Sequence, residues 1–139
     1  MSMPIKGVIL AGGEAMRLRP LTNVTNKHLL PVSRKPMIYY PIEKMTAAGI
    51  ADILVVTGCN HLGDIVSLLR SGSEFGCRFT YKVQEKAGGI AQALGLAEQF
   101  ASGSPVVVIL GDNLFEDPLA PALARYRQQD GGAHLLLKE

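Results

Sequence analysis

Residues 5–22 read IKGVILAGGEAMRLRPLT, a short apolar run from Ile5 to Leu10 that passes almost directly into Gly12 and Gly13. A run of this length, rich in Val and Ile and closed by a turn signal, predicts a buried strand with a glycine loop at its carboxyl end. Similar runs recur at Ile53 to Thr57, Phe79 to Val83, Val106 to Leu110 and His134 to Leu137, which makes five predicted strands. Helical spacing fills the intervals. Ile38, Ile42, Met45 and Ala48 share one face and Gly49 ends that helix, and Ile65, Leu68 and Leu69 mark a second. A third covers Ile90 to Phe100, with Ala91, Leu94, Ala97 and Ala101 on one face, and a fourth covers Leu119 to Gln129. Strand and helix alternate, so right-handed crossovers predict a doubly wound α/β sandwich, a mainly parallel sheet with helices on both faces. The sequence stops straight after its fifth predicted strand, and ligands in this architecture gather at the carboxyl ends of strands.

Composition narrows the function. With 47% apolar and 19% charged residues, the 139-residue chain can bury one ordinary core. The formal charge is only +2 and no basic stretch alternates with aromatics, which argues against nucleic acid as a partner. The amino-terminal segment lacks a signal-peptide layout, and no segment approaches the roughly 20 apolar residues that cross a bilayer, so a cytoplasmic protein without membrane contact is expected. Cys59 and Cys77 stand alone and read as two small buried thiols. His28, His61 and His134 read as solvated or locally bonded and receive no role.

Three stretches carry chemistry. Gly12, Gly13 and Arg17 fall in the loop after the first strand, where backbone N–H groups can approach anionic oxygens and a guanidinium adds forked donors. The alternative is a glycine-rich turn with a solvated arginine. The spacing is neither GxGxxG nor a GK[ST] loop, and the second predicted strand, DILVVTGCN, has no acidic residue at its end, so a dinucleotide-binding domain is disfavoured. Gln84 follows the third strand and offers a donor and an acceptor suited to the edge of thymine or uracil, with Gly88 and Gly89 permitting close approach of a flat ring. Asp112 ends the fourth strand in LGDN, where a carboxylate can hold Mg²⁺ or form an Asx turn.

The segment LAGGEAMRLRPLT resembles the LAGGxGTRLxPLT signature of sugar nucleotidylyltransferases. NKHLLPVSRKPMIYYPI, YKVQEKAGGIAQAL and VVVILGDNLF resemble further blocks of that family in the same order, closest to its glucose-1-phosphate thymidylyltransferase branch. The resemblance implies a Rossmann-like domain whose nucleotide-binding half occupies residues 1–139, the sugar-binding half being absent. It implies a transferase of nucleotide-sugar biosynthesis that joins dTTP or UTP to a hexose-1-phosphate, with Mg²⁺ as cofactor. The matching positions place Gly12 and Gly13 at the phosphates, Arg17 and Lys27 on the triphosphate as the catalytic cations, Gln84 and Gly89 on the base, and Asp112 on the metal. Ala15 and Met16 depart from the family's usual Gly-Thr: a methyl excludes glycine-only dihedrals, and Met16 brings no hydroxyl to a phosphate. A non-catalytic nucleotide-binding or regulatory module is the alternative function, and three consecutive leucines at 135–137 leave a homo-oligomer open.

Overall fold

The computed structural model describes residues 2–137. Its centre is a four-stranded parallel sheet in which Lys6–Ala11 (β1) lies between Asp52–Gly58 (β4) and Val106–Leu110 (β6), with Arg78–Gln84 (β5) beyond β4. A two-residue antiparallel hairpin, Pro31–Val32 (β2) and Lys35–Pro36 (β3), stands apart from it.

β1 and β4 read as unbroken apolar runs because both faces of the sheet are covered. Val8 pairs with Leu54 and Ile9 with Val55, and the alternation divides these side chains between two cores. On one face Ile9, Ala11, Ile53 and Val55 meet Tyr39–Ala47 (α1), Leu62–Leu69 (α2) and the start of Ala120–Arg127 (α5), through Ile42, Met45, Ile65, Leu69 and Leu119. On the other, Val8, Leu10, Leu54 and Val56 meet Ala93 of Gly89–Gly95 (α3) and Ala97, which precedes Glu98–Ala101 (α4). Lys6 Nζ donates to the carbonyls of Phe100 and Ala101 at 2.7 and 3.3 Å, a cation placed where a helix leaves its last carbonyls unpaired.

The chain steps from β1 outward to β4 and β5, then crosses the other face through α3 and α4 to reach β6 on the far side of β1. The strand order therefore reverses at β1, and the crevice at its carboxyl end is where this topology binds ligands. Among the described residues no helix is long and apolar enough to cross a membrane.

Three expectations need correction. His134 to Leu137 is not a strand: it pairs with no neighbour in the sheet, and Leu135, Leu136 and Leu137 are 77%, 59% and 85% exposed. An apolar run becomes a strand only when a ladder takes up its backbone groups, which composition alone does not reveal. The third predicted helix is two, α3 and α4, separated after Gly95, a poor helix interior. Cys59 is exposed, while Cys77 is buried as expected.

Candidate functional site

Each strand of the sheet ends in a residue that faces the same crevice. After β1 the backbone turns through Gly12 and Gly13, the latter at φ +102°, a conformation that favours glycine. Ala15 sits at φ 44°, ψ 46°, in the left-handed region that alanine reaches at some cost, not in the glycine-only region, and Thr22 Oγ1 donates to its carbonyl at 2.9 Å. The loop then coils through short turns at Met16–Leu18, Leu21–Asn23 and Lys27–Leu29.

The last of these turns is tied to β1 by a buried polar cluster. Asn26 Nδ2 donates to the Ala11 carbonyl at 3.2 Å, and Asn26 Oδ1 accepts from the His28 backbone N–H at 2.8 Å and from His28 Nδ1 at 2.7 Å. Burial pushes the His28 imidazole down to about 4, helped by the neighbouring Lys27 cation and opposed by Asp112. With Nδ1 carrying the proton, the ring is neutral and packs against Gly111, where a Cβ would lie 2.6 Å from His28 Cδ2.

This clamp carries Lys27 to the carboxyl end of β6, where its Nζ reaches Asp112 Oδ2 at 2.7 Å. The Lys27 hydrogen bond is the main reason the Asp112 carboxyl lies below its ordinary range. The two side chains are 26% and 38% exposed, so water screens the pair and its net contribution to stability is small.

At the end of β5, Gln84 Nε2 donates to the Gly89 carbonyl at 3.2 Å and to Gln92 Oε1 at 2.8 Å. Gln92 Oε1 also accepts from Gly88 N at 3.1 Å. A Cβ on Gly12 would sit 3.1 Å from Gln84 Oε1, so the Gln84 side chain reaches past the end of β4 to the glycine loop.

Two adjoining hollows result. The smaller, about 350 Å³, is walled by Leu10, Ile90, Ala93 and Leu110 and edged by Gly12, Gln84, Gly89 and Asp112. The larger, about 720 Å³, is polar and lined in part by Gly13, Ala15, Arg19, Thr25, Asn60 and His61. Gly13, Lys27, Gln84 and Ala87 border both. Six of the seven residues that the family resemblance assigns to the site thus meet in one place: Gly12, Gly13, Lys27, Gln84, Gly89 and Asp112. Arg17 does not, since its exposed side chain lines neither hollow, whereas Arg19 lines the larger. Asn26 and Gln92 went unread in the sequence, although an Asn just ahead of a short turn is a recognisable capping signal, and His28, given no role there, is locally bonded and buried rather than solvated.

Among the described residues no three His, Cys, Asp or Glu side chains gather as a ready metal cage. Asp112 stands at the crevice just past the end of β6, and Glu14 and Glu85 line the larger hollow. A single carboxylate fits Mg²⁺, which is commonly held by one or two carboxylates with water and substrate phosphates completing its shell, and does not fit an ion that requires an all-protein cage.

Comparison with known proteins bears on the family and the fold. The family model described as nucleotidyl transferase matches residues 6–138. A glucose-1-phosphate thymidylyltransferase from Actinoplanes sp. is 43% identical over 129 residues, which are 92% of this chain and 43% of that protein. A solved Bacillus anthracis structure named for glucose-1-phosphate thymidylyltransferase, in complex with a sucrose, superposes with a TM-score of 0.90 at 56% identity, covering 92% of this chain and 52% of that one. A UDP-glucose pyrophosphorylase complexed with UDP-glucose superposes with a TM-score of 0.75 at 27% identity, covering 91% and 54%. The chain therefore spans about half the length of the proteins it matches, or less.

Proposed function

The chain belongs to the nucleotidyl transferase family, and we propose that it is the nucleotide-binding part of an enzyme that transfers dTMP or UMP from dTTP or UTP to a hexose-1-phosphate, foremost glucose-1-phosphate. The observation that carries this reading is the convergence of Gly12, Lys27, Gln84, Gly89 and Asp112 on one crevice with an apolar lobe beside a polar one. A base fits the first and a phosphate chain the second. The names of the relatives support the substrates. The sugar site is proposed to lie in the part of the relatives' length that this chain does not span.

In the reaction an oxygen of the sugar phosphate bonds to the α-phosphorus while the bond to the β-phosphate oxygen breaks, and pyrophosphate departs with the electron pair. The attacking phosphate is already ionised near neutral pH, so no general base is needed. What the site must do is hold two anions together and stabilise the departing charge. Lys27 supplies one cation at the border of the two lobes, and backbone N–H groups at Gly12 and Gly13 supply dipoles. Asp112 would hold Mg²⁺, which when bound neutralises charge along the phosphates. Arg19 already lines the phosphate lobe. Arg17 would reach it only after a rearrangement of the loop that carries it.

Calorimetric titration tests the reading. dTTP and UTP should bind more tightly than ATP, and Gln84→Ala should erase that preference. Lys27→Ala should weaken every triphosphate by roughly 10- to 150-fold, the equivalent of losing a charge-assisted contact of about 1.5–3 kcal/mol. Equal affinity for ATP and dTTP, with Gln84→Ala and Lys27→Ala both silent, would move the site elsewhere.

A further inference from the structure

Hydrogen-bond polarity at the start of α3 determines which way the Gln84 amide points. A backbone N–H can only donate and a backbone carbonyl can only accept. Gly88 N therefore requires the atom 3.1 Å away on Gln92 to be the oxygen, Oε1. That oxygen lies 2.8 Å from a terminal atom of Gln84, which must then be the donor Nε2, and the Gly89 carbonyl 3.2 Å away requires the same. Both protons of Nε2 are committed, and only Oε1, the atom nearest Gly12, is left to meet a ligand.

We infer that Gln92 is a positioning residue for base selection: by holding the Gln84 amide in one orientation it makes the site an acceptor for a ring imide N–H. Thymine and uracil carry that N–H at N3. Cytosine presents a bare acceptor nitrogen at the same position, which would face the Gln84 oxygen without a proton between them. Discrimination between two pyrimidines of equal size thus rests on a residue eight positions away from the one that touches the base, acting together with the Gly89 carbonyl. The site also depends on Gly88 having no side chain, since a Cβ there would fall 2.1 Å from Gln92 Oε1. The inference rests on the reading of the crevice as a nucleotide site with Gln84 on the base.

The test measures the ratio of UTP to CTP affinity by calorimetry in the 139-residue chain and three variants. Gln92 is exposed, so its substitution leaves the core untouched, and thermal melting checks this. The parent chain should favour UTP by about tenfold or more, the scale of one satisfied hydrogen bond against one opposed acceptor pair. Gln92→Leu, which leaves the Gly89 carbonyl as the sole partner orienting the Gln84 amide, should lower the ratio, with CTP binding improved. Gln92→Glu keeps an oxygen that accepts from both Gly88 N and Gln84 Nε2, so it should keep the preference. A Gln92→Leu chain that retains the parent ratio while Gln84→Ala loses it overturns the inference and leaves the base-reading role of Gln84 standing. Equal weakening of both nucleotides in Gln92→Leu and Gln92→Glu also overturns it, as a general effect on α3. A ratio unchanged in Gln84→Ala, or no nucleotide binding by the parent chain, overturns the site reading and the inference with it.

Discussion

His28 shows how one buried side chain can tie the site to the stability of the whole chain. Its ring is enclosed, with Nδ1–H spent on Asn26 Oδ1, and burial holds its pKa at about 4 against an ordinary value of 6.5. The folded state thus takes up this proton less readily than the unfolded one. Stability is full above pH 6.5 and is lost as the pH falls from 6.5 towards 4, over which range the unfolded chain is protonated and the folded chain is not. The loss at the acid end is roughly 3 kcal/mol. Urea midpoints measured between pH 7 and 4 should decline more steeply for the parent chain than for His28→Gln, whose amide does not titrate. Parallel curves would show that the imidazole is not held neutral. None of this was legible in the sequence, where a histidine two positions after an asparagine looks like any polar turn. What singles it out is a bond from Asn26 to the Ala11 carbonyl, 15 residues back along the chain.

Among the elements, β1 and β4 were legible because burial on both faces leaves them few polar spacers, β6 because it is five consecutive apolar residues although Val108 is exposed, and α1 because Ile38, Ile42 and Met45 repeat at helical intervals and all face the core. The β2–β3 hairpin was not, since two-residue strands carry no periodicity, and His134 to Leu137 misled because apolar composition was mistaken for pairing. The site followed the same division. Gly12, Lys27, Gln84 and Asp112 were found because each sits at or near a strand end or in a recognisable block, whereas Gln92 acts through a partner that only folding brings near. One junction between elements is open to a direct check. At the exit of β6, a Cβ on Gly111 would meet His28 Cδ2 at 2.6 Å and the Leu10 carbonyl at 3.3 Å, and the clamped ring has little room to retreat. Gly111→Ala should therefore destabilise by about 1–3 kcal/mol. Gly95→Ala, whose Cβ would meet nothing within 4 Å at the end of α3, should be neutral or stabilising by up to about 1 kcal/mol. Thermal melts of the pair decide it: equal shifts would mean that β6 does not abut the His28 ring.

For the whole molecule, the question is how much of the reaction 139 residues can perform. The chain spans 43% of the Actinoplanes relative and about half of each matched structure. Its crevice offers an apolar lobe and a polar lobe on either side of Lys27 and Gln84, which on the proposed reading take one nucleotide. In-line transfer needs the second reactant held against the α-phosphorus, and such positioning is worth roughly 7–11 kcal/mol of barrier. A polypeptide of these residues is therefore expected to bind dTTP or UTP yet release pyrophosphate with glucose-1-phosphate many orders of magnitude more slowly than a chain extended to the relatives' full length. A coupled pyrophosphate assay on the two proteins, each checked by mass spectrometry, measures the difference. The contrary result would be instructive in a specific way. Brisk sugar-nucleotide synthesis by the 139-residue chain would mean that the larger lobe holds both the phosphates and the sugar, with Thr25, Asn60 and His61 on its wall the first residues to test for contact with the hexose.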